Sequence, residues 1–229
     1  MKTLNGTALI LAGGAGAAAM FGLGYMGLTW ARYGKVSQRG PRDPLLDRFM
    51  PTYEIREVHQ TRVVAPAEVT YDVARGLDLR RSGIVKAIFA GRELLMGSEP
   101  SERQGASGFL AEILALGWRV LADEPGRELI LGAVTQPWKA TVVFRGLPPD
   151  EFAHFNEPGY AKIVWNLAVE RRGSESSIFR TETRVITTDP DSRSRLRLYW
   201  SVVSPGVLVI RREALRIVKR ESELRARKA

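Results

Sequence analysis

Hydrophobic and polar positions along this chain pass through three regimes, and each change marks an element. The first is uninterrupted apolar sequence. No charged residue lies between Thr3 and Ala31, and residues 7–31 are long enough to cross a hydrocarbon core of roughly 30 Å as one helix. The second regime begins after Pro51, where Ile55, Glu57, His59, Thr61 and Val63 alternate with Arg56, Val58, Gln60 and Arg62, the period of a strand over Tyr53–Val64. Pro66 suits the first turn of a helix that follows, with Val69, Val73 and Leu77 on one face, and a short helix is expected over Ile84–Phe89. Residues 91–107 have no clear period and are rich in Gly and Ser, as a loop is. Strand periods then recur at Trp118–Ala122, Glu128–Val134, Ala140–Phe144, Ala161–Arg171 and Ser177–Thr187, with hairpin turns at Asp123–Arg127 and Arg172–Glu175. The third regime is helical: Asp189 is placed to cap, Pro190 follows it, and Leu196, Tyr199, Val203, Ile210, Ala214 and Ile217 recur at helical spacing. Pro205-Gly206 is expected to kink or break that helix without abolishing it.

Period two sorts the strand residues into faces. Ile163, Trp165, Leu167 and Val169 share one face of their strand, and Phe179, Thr181, Thr183 and Val185 share one face of the next. Val142 and Phe144 are assigned to the same inward set, while Arg180, Glu182 and Arg184 are expected to point to water. With Tyr199 and Val203 from the last helix, Val142, Phe144, Ile163, Trp165, Leu167, Phe179, Thr181 and Thr183 are the expected lining of a ligand cavity; the other reading is a solid core. Glu57 and His59 turn inward on their strand together. A carboxylate beside an imidazole suits general acid/base catalysis or the polar head of a ligand, and the alternatives are a water-facing edge strand or a structural ion pair. Glu112, amid Phe109, Leu110, Ile113 and Leu114, is either a further pocket acid or the polar side of a helix.

Composition narrows the chemistry. The chain has 229 residues, no cysteine and two histidines, which excludes disulfides and thiolate metal sites and argues against a multi-histidine metal centre. No P-loop, dinucleotide fingerprint or nucleophile motif occurs, and no cofactor is expected. The net charge of +9 suggests nucleic acid until it is located: residues 1–50 carry +4, residues 193–229 carry +8, and residues 51–192 carry −3. A nearly neutral centre without a known nucleic-acid module does not suit that partner. The basic ends are either solvated helix faces or sites of attraction to anionic lipid, with Arg212, Arg216 and Arg220 forming one row. Trp30 and Tyr33, followed by Arg32, Lys35, Arg39 and Arg42, resemble an interfacial belt with a basic flank, so the apolar stretch is expected to be a single membrane anchor with the soluble part in the cytoplasm. The competing reading is a signal sequence cleaved near Ala17–Ala19, leaving a secreted protein.

These readings divide the chain into an anchor (1–33), a Pro/Gly linker (34–51) and one α+β domain (52–229) in which a curved antiparallel sheet packs against a long C-terminal helix. The element order, with Gly117-Trp118-Arg-Val-Leu-Ala-Asp-Glu-Pro-Gly-Arg-Glu-Leu-Ile-Leu-Gly132, Pro158-Gly-Tyr-Ala-Lys-Ile-Val-Trp165 and Thr181-Glu-Thr-Arg-Val185, resembles the START/SRPBCC superfamily, which includes polyketide cyclases, lipid-transfer domains and birch-pollen-allergen-like proteins. The glycine-rich loop of the plant allergens is not evident. The resemblance implies a helix-grip fold enclosing a cavity. The expected function is therefore noncatalytic binding of a lipid or other hydrophobic small molecule at a membrane surface. The alternatives are a cyclase- or dehydratase-type enzyme using Glu57 and His59, and a membrane-proximal interaction scaffold.

Overall fold

The computed structural model describes residues 43–77, 82 and 109–228, together with Gly24, Tyr25, Gly27 and Leu28. Helix α1 (Pro44–Phe49) opens the main body, followed by strand β1 (Ile55–Val63), helix α2 (Ala67–Arg75) and helix α3 (Phe109–Ala115). Strands β2 (Arg119–Glu124), β3 (Glu128–Thr135) and β4 (Phe144–Arg145) come next, then helix α4 (Pro149–His154). The long strands β5 (Ala161–Arg171) and β6 (Ser177–Thr187) lead into helix α5 (Pro190–Ala226). The six strands form one antiparallel sheet in the order β1-β6-β5-β3-β2, with β4 extending the β2 edge at Val134 and Thr135. This is the α+β arrangement of antiparallel sheet and long C-terminal helix expected from the periodicity.

Local chemistry accounts for the turns and ends. Gly126 and Gly173 take the positive φ that the β2–β3 and β5–β6 turns require. Gly117 has φ of +99°, and a Cβ there would come within 2.2 Å of the Phe144 carbonyl oxygen, so only glycine allows the chain to enter β2. Asp189 is extended and accepts from Ser192 N at 2.8 Å, capping α5 as its position before Pro190 foretold. That helix runs unbroken through Pro205-Gly206, because neighbouring contacts on both sides hold the flanking turns.

The sheet is covered on both faces. Its inner face carries Val63, Leu129, Leu131, Leu167, Val169 and Phe179, packed against Tyr71, Val73, Ala74 and Leu77 of the α2 region and Leu215 and Val218 of α5. Farther along the same helix, Leu196 and Trp200 pack with Ile55, Ala161 and Val185. On the outer face Ile130, Val134 and Val164 meet Leu46, Phe49 and Met50 from the α1 region and Phe152 of α4. Gly132 belongs to this side: a Cβ would lie 2.4 Å from Leu121 Cδ1, so the glycine admits Leu121 and Phe152 to the core.

The outer cover corrects several expectations. Residues 34–51 are not wholly a linker: Asp43 caps α1, Leu46 is fully buried, and the packed body reaches back at least to Asp43 rather than beginning at 52. Glu182 and Arg184 do not face water, and Arg180 does so only in part, its side chain 22% exposed beside Asp43. Glu182 and Arg184 are 0% and 1% exposed beneath α1, because period two groups residues by face without saying what covers it. The strand expected over Ala140–Phe144 shrinks to Phe144–Arg145, and Val142 lies in the preceding loop, after the turn that follows Pro137. The expected span at 7–31, apart from Gly24, Tyr25, Gly27 and Leu28, lies outside the described residues, as do the helix at 84–89 and the loop at 91–107. Among the described residues no helix is long and apolar enough to cross a membrane.

Candidate functional site

Strand register assembles the candidate site on the inner face. Glu57 of β1 lies opposite Thr183 of β6, Thr183 opposite Trp165 of β5, and Trp165 opposite Leu131 of β3, forming one row across four strands. His59 lies opposite Thr181 in the next row. Ile55, Val185, Ile163 and Ala133 form the row on the other side. A polar strip of Glu57, His59, Thr181 and Thr183 on β1 and β6 thus lies next to an apolar row, with Trp165 beside it on β5. Trp165 Nε1 donates to Thr181 Oγ1, which fixes the indole against the strip.

Helix α5 places Arg211 over this strip. Its Nη2 donates to Thr183 Oγ1, whereas Nε and Nη1 are shielded from solvent with no hydrogen-bond partner. Burial pushes the guanidinium down to about 10, with the Glu57 carboxylate acting in the opposite direction, so Arg211 is charged at neutral pH. His59 is held below its ordinary value, first by burial and then by the positive charges of Arg211 and Arg212, so the neutral imidazole prevails. Its Nδ1 is also shielded and unpaired. Two partly desolvated nitrogen groups with unused hydrogen-bonding capacity therefore lie together under the helix.

The expected cavity residues divide by position. Ile163, Trp165, Tyr199 and Val203 are only partly buried. Leu167, Phe179, Thr181 and Thr183 are each less than 5% exposed; Leu167 and Phe179 belong to the solid part of the core beside α2. Val142 and Phe144 lie apart from the strip, with the Phe144 ring 5.2 Å from that of Trp118. Glu57 and His59 do share the inner face. As residues i and i+2 of one strand they stand about 6–7 Å apart, and with His59 Nδ1 unpaired they do not form a bonded acid/base dyad through that atom. Glu112 is half-buried on α3, beside Leu110 and Ile113 that pack on the inner core. Arg212, Arg216 and Arg220 are exposed on α5, with Arg216 Nε 3.3 Å from Glu213.

Arg211 escaped the sequence reading, although a signal for it exists. Val207, Arg211, Ala214 and Val218 follow helical spacing of three and four, so Arg211 occupies the apolar face while its neighbour Arg212 points away. A cation within the apolar stripe of an amphipathic helix is a legible anomaly.

The outer face carries a second polar group that is structural in character. Arg56 donates to both Glu182 oxygens at 2.7 and 3.0 Å, and Arg184 donates to Glu182 at 2.8 Å, to Asp47 at 2.6 Å and to the Met50 carbonyl at 2.8 Å. Burial would raise the Glu182 carboxyl, but Arg56 and Arg184 override it and hold it below the ordinary range. Asn166 bridges Glu128 at 2.6 Å and Asp43 at 3.3 Å. With its polar partners supplied internally, this network ties α1 to the sheet. Among the described residues no group of three or more His, Asp or Glu side chains converges as a metal site.

No family model and no curated protein matches the chain. Solved structures similar to it include norcoclaurine synthase from Thalictrum flavum, at 14% identity and a TM-score of 0.32, covering 80% of this chain and 94% of that one. A START superfamily protein from Mycobacterium smegmatis is 12% identical, with a TM-score of 0.27 and coverage of 76% and 97%. The Zhui aromatase/cyclase from Streptomyces is 13% identical, with a TM-score of 0.26 and coverage of 75% and 94%. The α+β assignment rests on this chain's own strand register and long helix.

Proposed function

We propose that the protein binds a hydrophobic small molecule, without catalysis, between the inner face of the sheet and α5. The observation that carries this reading is a set of apolar side chains left partly exposed on the inner face of the sheet and on α5. Ile163 and Trp165 on the sheet and Tyr199, Val203 and Val207 on the helix all remain partly exposed, although the buried Ile55, Ala161, Val185, Leu196 and Trp200 belong to the same region. An inner face that filled itself would withdraw such side chains from solvent, and an apolar guest would gain roughly 25 cal/mol for each Å² so covered. Glu57 and His59 border this space and suit recognition of a polar head; their spacing on one strand favours binding over a proton-transfer dyad.

The test is titration of the full chain with the neutral hydrophobic fluorophore 1-aminoanthracene. Saturable binding with one site is expected, and Ile163→Trp, which fills the space, should weaken it by at least about tenfold. Unsaturable binding, or binding indifferent to Ile163→Trp, would overturn the proposal.

A further inference from the structure

We infer that the ligand is a hydrophobic monocarboxylate whose carboxylate is received by Arg211 of α5. The inference rests on the proposed function and specifies the polar end of the same site. Arg211 reaches the strip with Nη2 on Thr183 Oγ1, leaving Nε and Nη1 shielded from water and unpaired. A buried guanidinium with unused N–H groups is costly unless an acceptor arrives with the ligand. Every free group on that side chain is a donor, so the matching ligand atom is an acceptor, and a negatively charged one binds most strongly.

The surroundings favour a single charge. Arg211 and the exposed Arg212 on α5 supply positive charge, Glu57 on β1 supplies negative charge, and His59 beside it is held neutral. Thr181 and Thr183 on β6 and Trp165 on β5 complete the wall without charge, and the two threonine hydroxyls already take hydrogen bonds from Trp165 and Arg211. A monoanion balances Arg211, whereas a dianion meets the Glu57 carboxylate as well. The apolar tail lies along Trp165, Ile163 and Val207, whose partly exposed side chains are the space on which the proposed function rests.

The experiment uses the full chain at pH 8 with 1-aminoanthracene bound, displaced by dodecanoate, dodecanol or dodecyl phosphate, with thermal melts confirming that each variant folds. Dodecanoate should displace the probe at a concentration at least about tenfold lower than dodecanol and at least about threefold lower than dodecyl phosphate. Arg211→Met should erase the preference over dodecanol, with each displacement scaled to that variant's own probe affinity, and Arg212→Gln should retain the preference. If Arg211→Met does not fold, Arg211→Lys keeps the charge without the flat set of donors and should reduce the preference by at least about threefold. Equal displacement by acid and alcohol in the wild type, a preference that substitution of Arg211 leaves undiminished, or tighter binding of the phosphate would overturn the inference. Failure of the wild-type chain to bind 1-aminoanthracene would instead overturn the proposed function on which it stands.

Discussion

Replacing Glu128 by Gln isolates the cost of one buried charge on the outer face. Glu128 is 4% exposed on β3 and accepts from Asn166 Nδ2 at 2.6 Å. Burial pushes its carboxyl up from 4.5 to about 7; the Asn166 bond opposes that rise and the Asp43 carboxylate adds to it. Between those two values the folded chain keeps a proton that the unfolded chain has released. The associated stability is therefore fully present below about pH 4.5 and is lost as pH rises through about 7. A gap of roughly 2.5 pH units corresponds to about 3 kcal/mol. Gln cannot ionise, and its amide oxygen can still accept from Asn166. At pH 4 the wild type and Glu128→Gln should unfold with nearly equal free energy, and by pH 8 the variant should be the more stable by up to about 3 kcal/mol. Urea unfolding at a series of pH values, with m unchanged between the proteins, measures the difference. A difference that stays constant with pH, or a variant less stable at pH 8, would refute the reasoning. The first would mean that Asn166, Arg180 and Arg127 compensate the ionised carboxylate fully, the second that they more than compensate it.

Phe179→Ala should destabilise the protein by about 3–5 kcal/mol because its ring is buried in the solid inner core, whereas Trp165→Ala should cost about 1–2 kcal/mol and weaken 1-aminoanthracene binding. Urea titrations compare the two, and equal losses would place Trp165 in the closed core rather than at the wall of an open space. A chain lacking residues 1–51 should be at least about 5 kcal/mol less stable than one lacking residues 1–42, since only the longer deletion removes Leu46, Phe49 and Met50 and the carboxylates that meet Arg180 and Arg184. Equal denaturant midpoints would show that α1 merely rests on the sheet.

Much of the inner architecture is legible in the amino-acid sequence because it depends on local rules. Alternation gave β5 and β6 their limits, Ala161–Arg171 and Ser177–Thr187. It also put Glu57, His59, Trp165, Thr181 and Thr183 on one face, while Asp189-Pro190 marked the start of α5. Those outcomes follow from the two-residue repeat of a strand and from the capping demands of a helix, both of which operate within a few residues.

Long-range packing decided the remainder. Alternation grouped Arg180, Glu182 and Arg184 correctly, yet whether that face meets water depends on α1, which lies more than a hundred residues earlier in the chain. Buried charge is tolerated there because Asp43, Asp47, Arg56 and Asn166 converge from separate segments, each supplying a partner that no local window contains. Arg211 is the inner-face counterpart. Helical spacing could place it on the apolar stripe, but only the packing of α5 over β6 shows one guanidinium nitrogen engaged by Thr183 and two left without an acceptor. A side chain's face is a property of its own segment; its solvation and its unmet hydrogen bonds belong to whatever the rest of the chain brings against it.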